Sequence, residues 1–220
     1  MNEIPQFYTE EFPRLNIADM DILSHTAGPG TRLVLWLQGC KQNCPGCCNQ
    51  NFLAIQKQHL VLPEEIIGLC RKANVEGISL SGGEPLLQAI ALAPLIQKIK
   101  AEGKSILLWT GYTLESLQAI SHPPEIAQIL GMTDILVDGP YVQEQRASLL
   151  WRGSQNQHIH LLSRRYPTTI LEHKPHTSLS FAHNTLCLTG DPNEHVLASL
   201  AQKLQAYGIK ITQPPAHTRE

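Results

Sequence analysis

Between residues 32 and 141 the chain alternates short apolar runs with longer segments of helical periodicity, and this alternation restricts the fold more than any single motif. "RLVLWLQ" (32–38), "GISLSGGEP" (77–85), "SILLWTGY" (105–112) and "DILVDGPY" (134–141) are rich in strand formers and bounded by glycine or polar residues. Between them, "LPEEIIGLCRKAN" carries Pro63 and two acids in a first helical turn. "LLQAIALAPLIQKIKAEG" sets Leu92, Leu95, Ile96 and Ile99 on one face and stops at Gly103. "TLESLQAI" is a short helix opened by Thr113, with Glu115 in its first turn. Strands alternating with helices predict an α/β fold around a parallel sheet with right-handed crossovers. Ligands collect at the carboxyl ends of such strands. "GCKQNC", "SGGEP", "WTGY" and "VDGPY" all sit there.

Outside that stretch the pattern changes. Residues 1–31 read as an irregular lead-in ending at "GPGT". In the last 50 residues or so, "SLSFAHNTLCLTG" (178–190) predicts a strand. "DPNEHVLASLAQKLQAYG" predicts a helix with Asp191 as N-cap, Pro192 at its first position and Gly208 at its C-cap, and "IKIT" a final strand. The division expected is a core over 1–165 and a small strand–helix appendage over 166–220. Cys70 and Cys187, each alone in an apolar-patterned segment, read as buried small hydrophobes.

Composition excludes several classes. With 220 residues and 42% hydrophobic content, the chain can build one sizeable core. A net charge of −2 and a pI near 6.5 give no nucleic-acid-binding surface. The N-terminus "MNEIPQFYTEEFPRLNI" lacks the apolar core of a signal peptide, and no run of about 18 apolar residues exists to span a membrane. The expectation is a cytoplasmic protein. Thiols stay reduced there, and clustered cysteines signal metal or catalysis rather than disulfides. The ten histidines are scattered and none is taken as a ligand.

Four of the six cysteines fall within "GCKQNCPGCCNQ". Cys40, Cys44 and Cys47 are spaced C-x3-C-x2-C, and Cys48 follows directly. A structural zinc site draws on two separated ligand pairs, and no second C-x2-C or H-x3-H pair exists here. An electron-transfer cluster takes four thiolates. Enlisting Cys48 would require adjacent side chains to converge on one metal. Three thiolates from one short loop would leave a cubane cluster with one iron lacking a protein ligand, an open position of the kind a substrate needs.

The C-x3-C-x2-C loop after the first strand resembles the radical S-adenosylmethionine (SAM) superfamily, in which SAM chelates that fourth iron. "SGGEP" (81–85) resembles the superfamily's "GGE" motif, which holds the methionine amino group of SAM. Glycines allow close backbone approach, and a carboxylate suits an ammonium. "GPGTRLVLWLQGC" resembles the lead-in of radical-SAM activating enzymes. "CPGC" followed by Asn, "WTGY" (109–112) and "VDGPYVQEQRASLLWRGSQNQHI" (137–159) resemble the activators of anaerobic (class III) ribonucleotide reductase. The likeness runs from about residue 25 to 162.

The resemblance implies a partial (β/α)6-type barrel of mostly parallel strands with a small C-terminal β/α appendage. It implies one 4Fe-4S cluster on Cys40, Cys44 and Cys47, with SAM as second cofactor. Reductive cleavage of SAM would give a 5′-deoxyadenosyl radical, which takes the Cα hydrogen of a glycine in a partner reductase. A flavodoxin-type donor is implied. By matched position Gly82, Gly83 and Glu84 meet the methionine end of SAM, and Thr110 and Gly111 its carboxylate or ribose. Asp138 faces the site or is a turn aspartate before Gly-Pro. Arg152, Ser154, Asn156 and Gln157 read as active-site or partner-facing, and Arg152 also as a structural salt-bridge residue. Gly46 stands where many superfamily members carry an aromatic, as in the reductase activators. Two alternatives stay open: a radical-SAM enzyme acting on a small molecule (7-carboxy-7-deazaguanine synthase-like) or on another polypeptide, and a non-catalytic zinc or iron–sulfur module.

Overall fold

The computed structural model describes residues 14–119, 123–175, 177–182, 185–190 and 194–208, with backbone alone for 179–182, 185–189 and 194–197. Its elements are β1 (Leu15–Ser24), β2 (Arg32–Leu37), β3 (His59–Val61), α1 (Pro63–Ala73), β4 (Gly77–Gly82), α2 (Ala89–Ala101), β5 (Ser105–Trp109), α3 (Leu114–Ala119), α4 (Pro124–Met132), β6 (Ile135–Asp138), β7 (Arg146–Leu149), β8 (Arg152–Ser154), β9 (His158–Leu161), β10 (Ser178–Ala182), β11 (Thr185–Thr189) and α5 (Glu194–Gln205). Seven strands form one sheet in the order β3-β1-β2-β4-β5-β6-β9. The central four, β2-β4-β5-β6, run parallel in consecutive register, from Arg32↔Gly77 to Trp109↔Val137. They are the four strands expected from the sequence. They are buried on both faces, which is why they read as continuous apolar runs.

The rim strands were less legible. Residues 15–24, expected to be irregular, form β1, antiparallel to β2 with two register shifts. Asp19 and Asp21 interrupt its apolar alternation, so pairing with β2 and β3 makes the strand rather than local pattern. β9 closes the other edge antiparallel to β6. The segment 178–190 is not one strand but an antiparallel pair, β10 and β11, in a sheet of its own. Asp191, Pro192 and "IKIT" lie outside the described residues. Among the described residues no helix is long and apolar enough to cross a membrane.

One apolar cluster joins the sheet to α1, α2 and α4 through Leu33, Leu35, Ile66, Leu92, Ile96, Ile99 and Ile129. A second lies around Leu107, Ile135 and Val137, with Trp109, Trp151, Ile159 and Tyr166 packed against it. Tyr166 also donates to Glu76 at 2.5 Å, so the packing of the core runs past residue 165.

The amino end of the parallel strands is closed by Arg32, whose side chain is fully buried. Its Nε donates to Ser79 Oγ (2.6 Å), one terminal nitrogen to Ser105 Oγ (2.8 Å) and Pro29 O (3.1 Å), and the other to Ile78 O (2.6 Å) and Ser105 O (3.3 Å). Burial lowers its pKa, opposed mainly by nearby Tyr166 and Glu76. Gly28 (φ +132°) leaves the room: a Cβ there would lie 2.6 Å from Arg32 Cδ. The "GPGTR" segment is thus a scaffold feature at the end of the sheet remote from the cysteines.

Candidate functional site

At the opposite end, β2 runs directly into the cysteine loop. Gly39 N–H donates to Phe52 O (2.8 Å) and Cys40 N–H to Leu53 O (2.9 Å), which pins both ends of the loop together. Inside it, Cys47 N–H reaches Cys44 O (3.2 Å) and Gln42 N–H reaches Cys40 Sγ (3.4 Å). Asn49 Nδ2 donates to Gly82 O (3.0 Å), tying the loop to the end of β4. Gly46 has φ +70°, and a Cβ there would lie 2.5 Å from Gln143 Oε1. Backbone conformation and crowding both favour glycine where an aromatic stands in many superfamily members.

Cys40, Cys44, Cys47 and Cys48 are all free thiols lining one cavity of about 620 Å³. The first three are half-buried and Cys48 is exposed. Burial pushes the Cys40 thiol up. A hydrogen bond with Cys48 brings Cys47 down to about 6, against its own burial and helped by Asn49 N–H. Among the described residues no group of three or more His, Cys, Asp or Glu is already drawn together for a metal ion. The donor set on this wall is nonetheless three half-buried sulfurs with no competing carboxylate or imidazole in the loop, which suits an iron–sulfur cluster.

Glu84 lies on the same cavity, and its side chain is almost wholly buried. Oε1 accepts from Leu86 N–H (3.0 Å) and Thr110 Oγ1–H (3.0 Å), and Oε2 from Gly111 N–H (2.9 Å). Burial outweighs these three bonds and holds the carboxyl at about 7. Thr110 and Gly111 therefore meet Glu84 as its supports, while lining the cavity themselves. The two glycines before it also line the cavity, and they serve chain packing as well. A Cβ on Gly82 would lie 2.2 Å from Leu37 N, and one on Gly83 2.2 Å from Gly39 O. Their absence of side chains lets Gly83 N–H bond Leu37 O (2.7 Å) and Glu84 N–H bond Gly39 O (2.8 Å).

Asp138 is buried but is not among the cavity-lining residues. Its Oδ2 accepts from Leu114 N–H (2.6 Å) at the start of α3, and its Oδ1 lies 3.1 Å from His160 Nε2. The block at 152–157 resolves into distinct roles. Gln157 Oε1 accepts from Gly153 N–H (2.9 Å) and Ser154 N–H (3.3 Å), while its Nε2 donates to Gly139 O (3.0 Å). Asn156 Nδ2 donates to Pro140 O (2.7 Å), and Ser154 Oγ accepts from Val142 N–H (3.2 Å). These side chains fasten the β7–β8 hairpin to the loop after β6. Arg152 lines the cavity. So do Gln42, Trp109, Tyr141 and Trp151, to which the sequence assigned no role, although all four lie inside the stretches singled out above.

The family described as "4Fe-4S single cluster domain" matches residues 26–160, the whole of this arrangement. The anaerobic ribonucleoside-triphosphate reductase-activating protein of Escherichia coli K12 is 39% identical over 145 residues, covering 61% of this chain and 91% of that protein. That of Vibrio cholerae is 41% identical over 143 residues, covering 60% of this chain and 89% of its own length. The chain belongs to this family. The phage T4 protein of the same name is 32% identical over 139 residues and spans 60% of this chain. These relatives reach nine-tenths of their length on about three-fifths of this chain, so part of the present protein has no counterpart in the aligned regions. Among solved structures, that of QueE from Escherichia coli aligns over 51% of this chain and 58% of its own, with 17% identity and a TM-score of 0.39.

Proposed function

We propose that the protein is a radical-SAM activating enzyme that installs a glycyl radical on an anaerobic ribonucleoside-triphosphate reductase. The observation that carries this reading is the convergence on one cavity of Cys40, Cys44, Cys47 and the buried Glu84, in a chain of the reductase-activator family. Cys40, Cys44 and Cys47 are the ligands of a 4Fe-4S cluster, and Cys48, exposed beside them, is not. Held there and reduced by an external donor, the cluster would supply the single electron needed for reductive cleavage of SAM to methionine and a 5′-deoxyadenosyl radical.

The chain's own residues position and shield. Glu84 receives the methionine ammonium, and a cation beside it offsets the burial that disfavours its charged form. Thr110 and Gly111 orient that carboxylate, and their cavity-facing surfaces meet the rest of SAM. Gly82 and Gly83 hold the ends of β2 and β4 together, so that the cysteine loop and Glu84 share one rigid frame. Asp138 acts indirectly, fixing the start of α3 behind the "WTGY" turn. The reading takes the sheet as the wall of a partial (β/α)6-type barrel, a flavodoxin-type protein as electron donor, the cytoplasm as its compartment, and residues 166–220 as a small strand–helix appendage, of which Tyr166 packs on the core and Pro175 and Gly190 border the cavity.

Anaerobic reconstitution followed by iron and sulfide analysis, then dithionite and SAM, tests the proposal. The expected products are methionine and 5′-deoxyadenosine, with a glycyl doublet in EPR once the organism's anaerobic reductase is added. Zinc in the site with no 5′-deoxyadenosine would end the enzyme reading. Cleavage of SAM without a glycyl signal would redirect it to another substrate.

A further inference from the structure

The residue to be oxidised under the proposed function is a glycine, and it offers a recognising surface no side chain. A protein that must hold it near the reacting centre has only the peptide backbone to grip, and peptide carbonyls call for N–H donors. Six buried side-chain polar atoms among the described residues make no hydrogen bond: Gln42 Nε2, Trp151 Nε1, Arg152 Nε, Asn156 Oδ1, and the facing pair Asp138 Oδ1 and His160 Nε2, which lie 3.1 Å apart. They divide cleanly. The first three belong to residues lining the cavity, and all three are donors, while the others belong to residues outside the lining. Buried donors left unpaired are costly and rare, and a group of them on one cavity marks a place for acceptors.

Their supports are built. Trp151 lies in the turn after β7 and Arg152 opens β8, in a hairpin that forms a two-stranded sheet apart from the main one. Trp151 has φ +53°, a conformation that bulky residues rarely adopt and that persists where surroundings enforce it. The enforcement is visible. Trp109 Nε1 donates to Trp151 O (2.7 Å), joining the hairpin turn to the end of β5 beside Thr110 and Gly111. One terminal nitrogen of Arg152 donates to Gln157 O (3.2 Å), and Gln157 in turn clamps Gly153 and Ser154. Arg152 Nε and the Trp151 indole N–H are left over from this network. Gln42 stands on the cysteine loop, so the donors come from two separate elements. Single donors drawn from two elements match successive carbonyls of an extended peptide better than one carboxylate.

We propose that Trp151 and Arg152, with Gln42 of the cysteine loop, bind the backbone carbonyls flanking the target glycine of the partner polypeptide. The inference rests on the activase reading above. It assigns the β7–β8 hairpin to substrate recognition and separates that task from SAM binding at Glu84.

Trp151→Phe removes the indole N–H together with one ring of the side chain but keeps an aromatic in place, and Arg152→Lys keeps the charge while removing the planar Nε–H fork. Titration of the organism's fluorescently labelled anaerobic reductase with wild-type and variant proteins measures partner affinity, and calorimetry with SAM measures the cofactor. Each variant is expected to weaken reductase binding by on the order of tenfold, with SAM affinity changing by less than about twofold. A loss of SAM affinity with reductase binding intact would overturn the proposal by assigning the donors to the cofactor. No change in either affinity would overturn it by showing the donors to be unused. Should one variant fail to fold, as checked by circular dichroism, the other carries the same comparison. A wild-type protein that yields no 5′-deoxyadenosine with dithionite and SAM would mark failure of the activase reading instead, whatever the variants do.

Discussion

The two ends of the parallel sheet are built on opposite rules. At the amino end, a charged Arg32 is sealed from water, yet five acceptors surround its guanidinium and nothing is left for a ligand. At the carboxyl end, lining residues keep three donors unpartnered, a carboxyl sits at about 7, and a tryptophan is held at positive φ. Both ends are polar and both are buried. What separates scaffold from site is whether the polar groups are satisfied within the chain.

The largest effect that can break this comparison is at the cysteines. Cys40→Ala, Cys44→Ala or Cys47→Ala is expected to abolish stable cluster incorporation, read as iron and sulfide content and visible absorbance, whereas Cys48→Ala keeps it. Loss of the cluster in Cys48→Ala would overturn the ligand assignment. At the other end, Arg32→Met strands several buried acceptors and is expected to cost about 3 kcal/mol or more in urea denaturation. A near-neutral result would mean that the amino end is not the scaffold described here.

Glu84 gives the next largest effect and a pH signature. Its carboxyl stands at about 7 in the fold against an ordinary 4.5, so the ligand-free folded state holds a proton that the unfolded chain releases. Stability from this group is complete below pH 4.5 and declines as pH rises from there through about 7. Binding an ammonium favours the carboxylate, so SAM affinity is expected to weaken as pH falls below about 7. Glu84→Gln should flatten both profiles and lower SAM affinity by on the order of tenfold. Calorimetry across pH 5 to 8 checks all three.

The smallest effects sharpen the role of the glycines. Gly83→Ala drives a methyl into the Gly39 carbonyl and is expected to cost roughly 2 kcal/mol. Gly111→Ala first meets the Gln42 side chain, 2.3 Å away, which can swing aside, so its cost is expected to stay under about 1 kcal/mol. Equal losses in thermal melts would contradict the contrast.

Much of the frame was legible because its signals are local. The four central strands declared themselves as apolar runs, since both faces are buried, and α1 and α2 by their face periodicity and first-turn chemistry. The cysteine spacing and the "GGE" triplet marked the working end of the sheet, and the structure brings them to one cavity. β1 and β9 were not legible, because aspartates and histidines hide strands that form through their neighbours. The glycines of "SGGEP", assigned to ligand approach, line the cavity and also abut Leu37 and Gly39, a contact between segments over 40 positions apart that the sequence did not show.

The sequence by itself determined the α/β alternation, the placing of the motifs at strand ends and the choice of cysteine chemistry, because each depends on residues within a few positions of one another. Only the tertiary structure decided that Arg32 is a plug, that Thr110 and Gly111 serve Glu84, that Asp138 turns to α3, and that Gln157 is a clamp while Arg152 keeps a free donor. Those roles depend on which polar groups find partners after the chain has closed, and long-range packing sets that.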